Sequence, residues 1–278
     1  MIRKLLLVHA HPDDETITTG GAIARYAAEG AEVSVVTCTL GEEGEIVPPR
    51  LALLASDAAD QLGGYRSGEL AAACAALGVT RHAYLGGMGR WRDSGMAGTP
   101  AAEHPRAFAA GGLDEQAAQL AELLDELAPQ VVVTYDSFGG YGHPDHIRAH
   151  DITMAAAPRA ASVERVFHVV HSRTAVDAGL ARLRASSGSP FRVPQDDELP
   201  GTPEEKVTTV LDTSAHLPAK IAALRAHETQ LTVADTFDGE VVHFALTNDI
   251  AQPIPPAEYF VLAHGPAAGA DTDLFGGL

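Results

Sequence analysis

The chain has 278 residues, enough for one large domain or for a domain with a smaller lobe. Its formal net charge of −18 argues against nucleic acid or a membrane surface as a partner, because both bind a basic face. The cysteines, Cys38 and Cys74, lie in apolar patterns that predict buried thiols rather than a disulfide framework. With no recognisable signal segment and no apolar run of about 20 residues, the expected location is the cytoplasm. These features leave the oligomeric state open.

The hydrophobic pattern predicts strands and helices that alternate as far as residue 171. The predicted strands are 5–9, 32–39, 79–85, 131–135 and 166–171, and the predicted helices are 21–29, 50–77, 113–127 and 147–156. The second helix is expected to break at Gly63-Gly64. Regular alternation of this kind is typical of an α/β fold. We therefore predict a Rossmann-like, doubly wound, mostly parallel sheet with helices on both faces.

The pattern loosens after residue 171, which suggests a boundary there. We predict a core at 1–171 and a smaller C-terminal region at 172–278 that completes the fold and the substrate cleft. The tail from Pro266 is expected to be frayed. Within the core, the loop 86–112 is unusually long and carries the only tryptophan, Trp91. Loops of that length are usually functional, so we expect a lid or a wall of the substrate site.

Two His-Pro-Asp segments follow the first and fourth predicted strands. His11 and Asp14 lie in the first segment, and His146 lies in the second. In a doubly wound sheet the carboxyl ends of these strands can lie side by side. Two imidazoles and one carboxylate are a usual set of ligands for a catalytic zinc ion whose fourth position holds water. Fe²⁺ accepts the same ligands, so the sequence does not choose between the two metals.

The residues beside the predicted ligands suggest roles in hydrolysis. Asp13 is a spare carboxylate that could take a proton from metal-bound water. His143 could protonate a leaving group, with Asp145 holding its ring, and Tyr141 could donate to an oxyanion. Taken alone, the first segment could be surface chemistry, and the second could be the first turn of a helix. Because both segments follow apolar strands, a joint metal site is favoured.

At these two segments the chain resembles the LmbE-like (PIG-L) family of zinc-dependent N-deacetylases. The resemblance extends to the blocks 36–45, 61–66, 84–87, 89–99, 131–136 and 139–143. It implies zinc on His11, Asp14 and His146, with Asp13 as general base, His143 as general acid or electrostatic stabiliser, and Tyr141 as oxyanion donor. It also implies a pocket in which Arg66 and Asp93 grip sugar or inositol hydroxyls, lined by Glu45, Thr18 and Met96.

Block 89–99 resembles the family members that act on an amino-sugar inositol. The resemblance implies deacetylation of N-acetyl-glucosaminyl-inositol to glucosaminyl-inositol and acetate in mycothiol biosynthesis. The alternative within the family is the mycothiol S-conjugate amidase, which tends to place a lysine just after the first metal segment. Residues 16–19 contain no lysine, which favours the deacetylase. Outside the family, the alternative is a metal-binding module without catalysis. A dinucleotide-binding site is not favoured, because the first strand-to-helix turn is not Gly-rich.

Overall fold

The structure is a computed structural model that describes residues 2–196, 198–236, 239 and 241–278. The strands are β1 (Lys4–His9), β2 (Glu32–Thr37), β3 (Arg81–Tyr84), β4 (Val131–Tyr135), β5 (Arg165–Val170), β6 (Thr209–Asp212), β7 (Thr232–Asp235), β8 (Val242–Ala245), β9 (Gln252–Pro253) and β10 (Ala257–His264). The helices are α1 (Asp14–Ala28), α2 (Leu62–Leu77), α3 (Leu113–Leu127), α4 (Gly139–Gly142), α5 (Pro144–Ala156), α6 (Arg173–Ala185) and α7 (Leu217–Ala226). No helix among these described residues is both long enough and apolar enough to cross a membrane.

Among the described residues, seven strands form one sheet in the order β3-β2-β1-β4-β5-β10-β6. Strands β1 to β5 run parallel to one another, whereas β10 is antiparallel to both β5 and β6. The predicted mostly parallel α/β fold is therefore confirmed. The chain order reverses between β1 and β4, which places the carboxyl ends of these two strands side by side. Open α/β sheets bind their ligands at such a point.

The central strand β1 is apolar on both faces because helices cover the sheet on both sides. Leu5 and Leu7 pack into a core with residues of α1, α2 and α7, and Leu6 and Val8 pack into a second core with residues of α3 and α5. Successive side chains of a strand point to opposite faces, so the run Leu5 to Val8 supplies both cores. The strand that delivers the first metal segment is thereby fixed from both sides.

The C-terminal region is part of the same sheet. It contributes β6 and β10, which extend the sheet beyond β5, and it adds a small antiparallel sheet of β7, β8 and β9. The sheet thus runs across the proposed boundary at residue 171, and the division into two regions stays a prediction.

Three local predictions are wrong. Helix α1 begins at Asp14 rather than at residue 21. The helix α2 begins at Leu62 and does not break at Gly63-Gly64, because these glycines lie in its first turn. A side chain at position 63 would lie 2.8 Å from Leu40 and Glu42, so glycine is required there by close packing. The tail from Pro266 is not frayed: Arg165 donates hydrogen bonds to its carbonyls, and Leu274 is fully buried.

Candidate active site

The two His-Pro-Asp segments meet at the carboxyl ends of β1 and β4. His11 follows β1, and Asp14 opens helix α1. His143 is the N-cap of α5, and Pro144 occupies its first turn, where a missing N–H costs nothing. His146 is therefore presented from the first turn of α5 towards the end of β1. The fold brings the segments together although 134 residues separate His11 from Asp145.

Three side-chain atoms form a triangle that fits a tetrahedral metal ion. Nδ1 of His11 lies 3.3 Å from Nε2 of His146, and Oδ2 of Asp14 lies 3.4 Å from each of these nitrogens. Ligands about 2.0 to 2.1 Å from a tetrahedral zinc ion are about 3.3 to 3.4 Å apart. All three residues are buried. The set can therefore hold one ion with three protein ligands and leave a fourth position open to the cleft.

The remaining ring nitrogens of the two histidines have acceptors. Nε2 of His11 lies 3.2 Å from Oδ2 of Asp145, and Nδ1 of His146 lies 3.2 Å from the carbonyl oxygen of Gly139. Acceptors of this kind fix the tautomer and leave the other nitrogen free for a metal. Tyr135, at the end of β4, stacks on His146 with ring centroids 4.2 Å apart. The orientation of both imidazoles is thus set by the surrounding protein.

The ionisation of Asp14 is also favourable for a ligand. Its Oδ2 accepts the backbone N–H of His11 at 2.9 Å. Burial alone would raise the pKa of Asp14, but His146 and His11 outweigh burial and lower this pKa well below its usual value. Asp14 is therefore a carboxylate rather than a carboxylic acid at neutral pH.

The carboxylate of Asp145 contacts a different histidine from the one predicted. Its carboxylate lies beside His11 and accepts the N–H of Ser94 at 2.9 Å, while its backbone N–H donates to Nδ1 of His143 at 3.1 Å. The reason is the helix terminus: the first N–H groups of α5 lack acceptors within the helix, and the N-cap side chain supplies one. The ring of His143 is held by the backbone of Asp145, and the Asp145 side chain is free to reach His11.

Asp13 lies beside the metal set and is bonded to Arg66. Oδ2 of Asp13 is 3.1 Å from Nη2 of Arg66, which is buried and also donates to the carbonyls of Gly41 and Pro12. Burial raises the pKa of Asp13, Arg66 opposes this rise, and Asp14 adds to it, giving a value of about 6. Sequence reasoning assigned Arg66 to substrate hydroxyls. In the structure its described partners are protein groups around Asp13, and the contact with substrate hydroxyls stays a prediction.

A cleft of about 1880 Å³ opens in front of these residues. It is lined by the sequence-predicted residues His11, Asp13, Asp14, Thr18, Glu45, Arg66, Asp93, Met96, Tyr141, His143 and His146. Asp145 is fully buried and does not line it. The C-terminal region supplies further lining residues, among them Gln230 and Asn248. The predicted site is therefore one continuous surface.

The lining residues differ in how firmly they are held. Asp93 is buried, accepts the N–H of Gly95 at 2.8 Å, and has Oδ1 3.5 Å from Nε2 of His11. Thr18 donates its hydroxyl to the carbonyl of Asp14 at 2.7 Å. Tyr141 is about half exposed, at 54%, and its ring lies 5.0 Å from that of His146. The site thus combines a rigid floor with an accessible phenol at its rim.

Sequence reasoning missed several residues that shape this site. Tyr135 gave a signal, since it ends the strand that leads to the second metal segment. Gln230 gave none: its side chain donates to the carbonyl of Glu45 at 3.2 Å, a contact between distant parts of the chain. Glu15 was visible only as a member of the first segment, and His227 showed no ligand spacing with any other histidine.

A buried three-ligand set, a carboxylate beside it and an open cleft are features of metal-dependent amide hydrolases. The family model for GlcNAc-PI de-N-acetylase (PIG-L) matches residues 6–157. The chain belongs to this family and is an amide-hydrolysing enzyme.

Two proteins of known name are similar in sequence to nearly the whole of this chain. A protein from Actinosynnema mirum named 1D-myo-inositol 2-acetamido-2-deoxy-alpha-D-glucopyranoside deacetylase is 62% identical over 275 residues, covering 99% of this chain and 97% of that protein. A protein of the same name from Saccharomonospora viridis is 61% identical over 274 residues, covering 99% and 100%. The solved N,N'-diacetylchitobiose deacetylase of Pyrococcus horikoshii has the same fold, with a TM-score of 0.54, 19% identity and coverage of 81% and 69%.

Proposed function

We propose that this enzyme removes the acetyl group of 1D-myo-inositol 2-acetamido-2-deoxy-α-D-glucopyranoside. Water cleaves the amide C–N bond, and the products are acetate and the free amine, glucosaminyl-inositol. The observation that carries the proposal is the 62% identity over nearly the whole chain to a deacetylase of that name. On this proposal the enzyme takes part in mycothiol biosynthesis in the cytoplasm.

His11, Asp14 and His146 would hold the metal, which we propose to be zinc, with Fe²⁺ as the alternative because it accepts the same donors. A zinc ion there would polarise the acetamide carbonyl and lower the pKa of a water molecule to about 7. The support is the triangle of ligand atoms, whose edges of 3.3 and 3.4 Å suit a tetrahedral ion.

Asp13 acts as the general base. A carboxylate whose pKa lies at about 6 is ionised at neutral pH and still basic enough to accept a proton from the attacking water. The same carboxyl group, once protonated, can deliver that proton to the nitrogen of the departing amine. Arg66 keeps the carboxylate oriented, since its guanidinium is itself fixed by hydrogen bonds to the carbonyls of Gly41 and Pro12.

His143 and Tyr141 supply hydrogen bonds where negative charge develops. Burial, together with the nearby His11 and His146, lowers the pKa of His143 to about 4, so its ring is neutral at pH 7. Because Nδ1 accepts the N–H of Asp145, the ring proton lies on Nε2. His143 can therefore donate to an oxyanion without carrying a charge, and the phenol of Tyr141 is a second donor. This arrangement favours the stabilising role of His143 over that of general acid.

The pocket residues suit a neutral, polyhydroxylated substrate. Carboxylate and guanidinium groups make directed, paired hydrogen bonds to sugar hydroxyls. We propose that Asp93 and Glu45 accept such bonds and that Thr18 and Met96 shape the pocket wall. Arg66 contributes through its hydrogen bond to Asp13.

The test is amine release from two substrates under the same conditions. Purified enzyme is given N-acetyl-glucosaminyl-inositol and, separately, an S-conjugate of mycothiol, and the free amine is quantified while the metal content is measured on protein prepared without added metal. We expect faster turnover of N-acetyl-glucosaminyl-inositol. Faster turnover of the S-conjugate would instead support the mycothiol S-conjugate amidase, which the absence of lysine at 16–19 disfavours.

A further inference from the structure

The backbone of Asp13 is held in an unusual conformation. Its φ of 116° and ψ of −33° lie where residues other than glycine are rarely found. Such a conformation persists only when the surroundings fix it. The carbonyl of Asp13 accepts the N–H groups of Thr16 at 3.0 Å and Ile17 at 2.9 Å, and its own N–H donates to Oε2 of Glu15 at 2.9 Å. Of these three hydrogen bonds to the backbone of Asp13, the one with Glu15 involves a side chain.

The carboxylate of Glu15 is fully buried, yet both of its oxygens have partners. Oε2 accepts the N–H of Asp13, and Oε1 accepts the hydroxyl of Thr16 and lies 2.8 Å from Nε2 of His227. A buried carboxylate is stable only when hydrogen bonds or an opposite charge replace water. His227 is also fully buried, so the two side chains depend on each other.

His227 comes from the far end of the chain and is anchored there. It is the C-cap of α7, a helix that packs on α1 and α2. Two residues later, the N–H and hydroxyl of Thr229 donate to the carboxylate of Glu69 at 2.8 and 2.6 Å, and the carbonyl of Thr229 accepts the N–H of Val47. The loop after α7 is thus tied to α2 and to the segment after β2, and His227 has a fixed position.

We propose that Glu15 and His227 are positioning residues for the general base. Glu15 holds the backbone N–H of Asp13 so that the strained turn presents the Asp13 carboxylate to the cleft, and His227 holds Glu15 in place. The C-terminal region thereby contributes to the chemistry without touching the substrate. The inference rests on the proposed function, in which Asp13 is the base.

A second buried pair of side chains supplies a matched control for a purely structural role. Lys220 on α7 lies 2.7 Å from Glu258 on β10, and Glu258 accepts the N–H groups of Gly21 and Ala22 in α1. This pair joins α7 to α1 as the Glu15–His227 pair does, but it meets α1 in its middle rather than beside Asp13. Breaking either pair should lower stability, but only the loss of the Glu15–His227 contact should affect Asp13.

The experiment compares His227→Leu, His227→Gln and Lys220→Met with the unmodified enzyme. Steady-state kinetics, metal content and thermal unfolding are measured for each. We expect His227→Leu to lower kcat by about 10²-fold with KM and metal content unchanged, since a small displacement of a catalytic group costs about that much. His227→Gln keeps an N–H donor for Glu15 and should recover most of the lost kcat. Lys220→Met should lower the unfolding temperature and leave kcat unchanged. If His227→Leu does not fold, His227→Asn, whose amide is too short to reach Glu15, takes its place with the same expectation.

Hydrogen exchange at the Asp13 amide gives a readout that needs no turnover. In ¹⁵N-labelled protein this amide should be protected in the unmodified enzyme and in His227→Gln, and should exchange rapidly in His227→Leu. Persistent protection and unchanged kcat in His227→Leu would overturn the proposal, as would an equal loss of kcat in Lys220→Met. If the unmodified enzyme releases no amine, the proposed function fails, but the exchange of the Asp13 amide still decides whether the pair positions this residue.

Discussion

The guanidinium of Arg66 donates a hydrogen bond to the carboxylate of Asp13 at a distance of 3.1 Å. Arg66 is 2% exposed; its Nη1 donates to the carbonyl of Gly41, and its Nη2 donates to the carbonyl of Pro12 as well as to Asp13. A cation in this position acts on the base as well as on any substrate in the cleft. The two effects can be separated, because the first changes a pKa and the second changes substrate binding.

Replacing Arg66 by Gln should move the acid limb of the pH profile upwards. As the proposed general base, Asp13 works only when ionised, so activity should fall as the pH drops through its pKa, which lies at about 6 with Arg66 present. Without the opposing cation this pKa rises further, and activity is lost at a higher pH. The measurement is kcat/KM between about pH 5 and pH 8. Arg66→Lys, which keeps the charge, is the control; a raised KM with an unmoved limb would assign Arg66 to the substrate alone.

Replacing Asp13 by Asn should lower kcat by about 10²-fold or more while the metal is retained. The amide has nearly the shape of the carboxylate but cannot accept a proton from water, and Asp13 is outside the triangle of ligand atoms. Single-turnover amine release and metal analysis on the same preparation check both parts. Normal turnover in this variant would overturn the assignment of Asp13 as the general base.

Replacing Asp145 by Asn should weaken metal binding about 10- to 100-fold, the usual cost of removing an acceptor behind a ligating histidine. The carboxylate of Asp145 lies 3.2 Å from Nε2 of His11 and holds the tautomer that leaves Nδ1 free. Metal affinity is measured by competition with a chelator. His143→Ala is the matched control: it should lower kcat and leave the affinity unchanged. Equal metal affinities in the Asn variant and the unmodified enzyme would instead support the role predicted from the sequence, in which Asp145 holds the ring of His143.

Replacing Leu274 by Ala should destabilise the protein by about 2 to 5 kcal/mol. Leu274 is fully buried in the core that also contains Tyr26 and Phe275, so the substitution leaves a cavity. Leu278 is 44% exposed, and Leu278→Ala should change the free energy of unfolding by no more than about 0.5 kcal/mol. Denaturant unfolding of both variants checks this. Equal stabilities would mean that the tail does not contribute to the core in solution.

The elements that could be predicted from the sequence have strong local patterns. The bounds 113–127 and 131–135 coincide with helix α3 and strand β4. Helix α1 was predicted to begin at residue 21 but begins at Asp14, because the polar ligands of the first segment mask its apolar period. The Gly63-Gly64 pair suggested a break in α2, whereas the small size of Gly63 serves packing against Leu40 and Glu42. Local rules identify a residue type and cannot say which neighbour requires it.

The residues of the candidate site were visible where a motif carried them. His11, Asp14 and His146 follow from two short segments and the order of the strands. The partner of Asp145 did not follow, since the choice between His143 and His11 depends on how α5 approaches β1. The contact between Glu15 and His227 joins positions 212 residues apart and has no periodic or spacing signal. The order of the tail from Pro266 was likewise not predicted, because Arg165, which donates hydrogen bonds to its carbonyls, lies 101 residues before Pro266 in strand β5.

The placement of β10 constrains how this enzyme is made. Strand β5 pairs with β10, which is synthesised long after it, so a growing chain exposes the edge of β5 to other strands. Until β10 and the loop after α7 have emerged, neither the sheet nor the support of the Asp13 turn is complete. A nascent chain can therefore possess all three proposed metal ligands and still lack a positioned base. The growing chain could then bind the metal ion before it can catalyse the reaction. Chains truncated by interrupted translation would associate through the exposed edge of β5 rather than show partial activity.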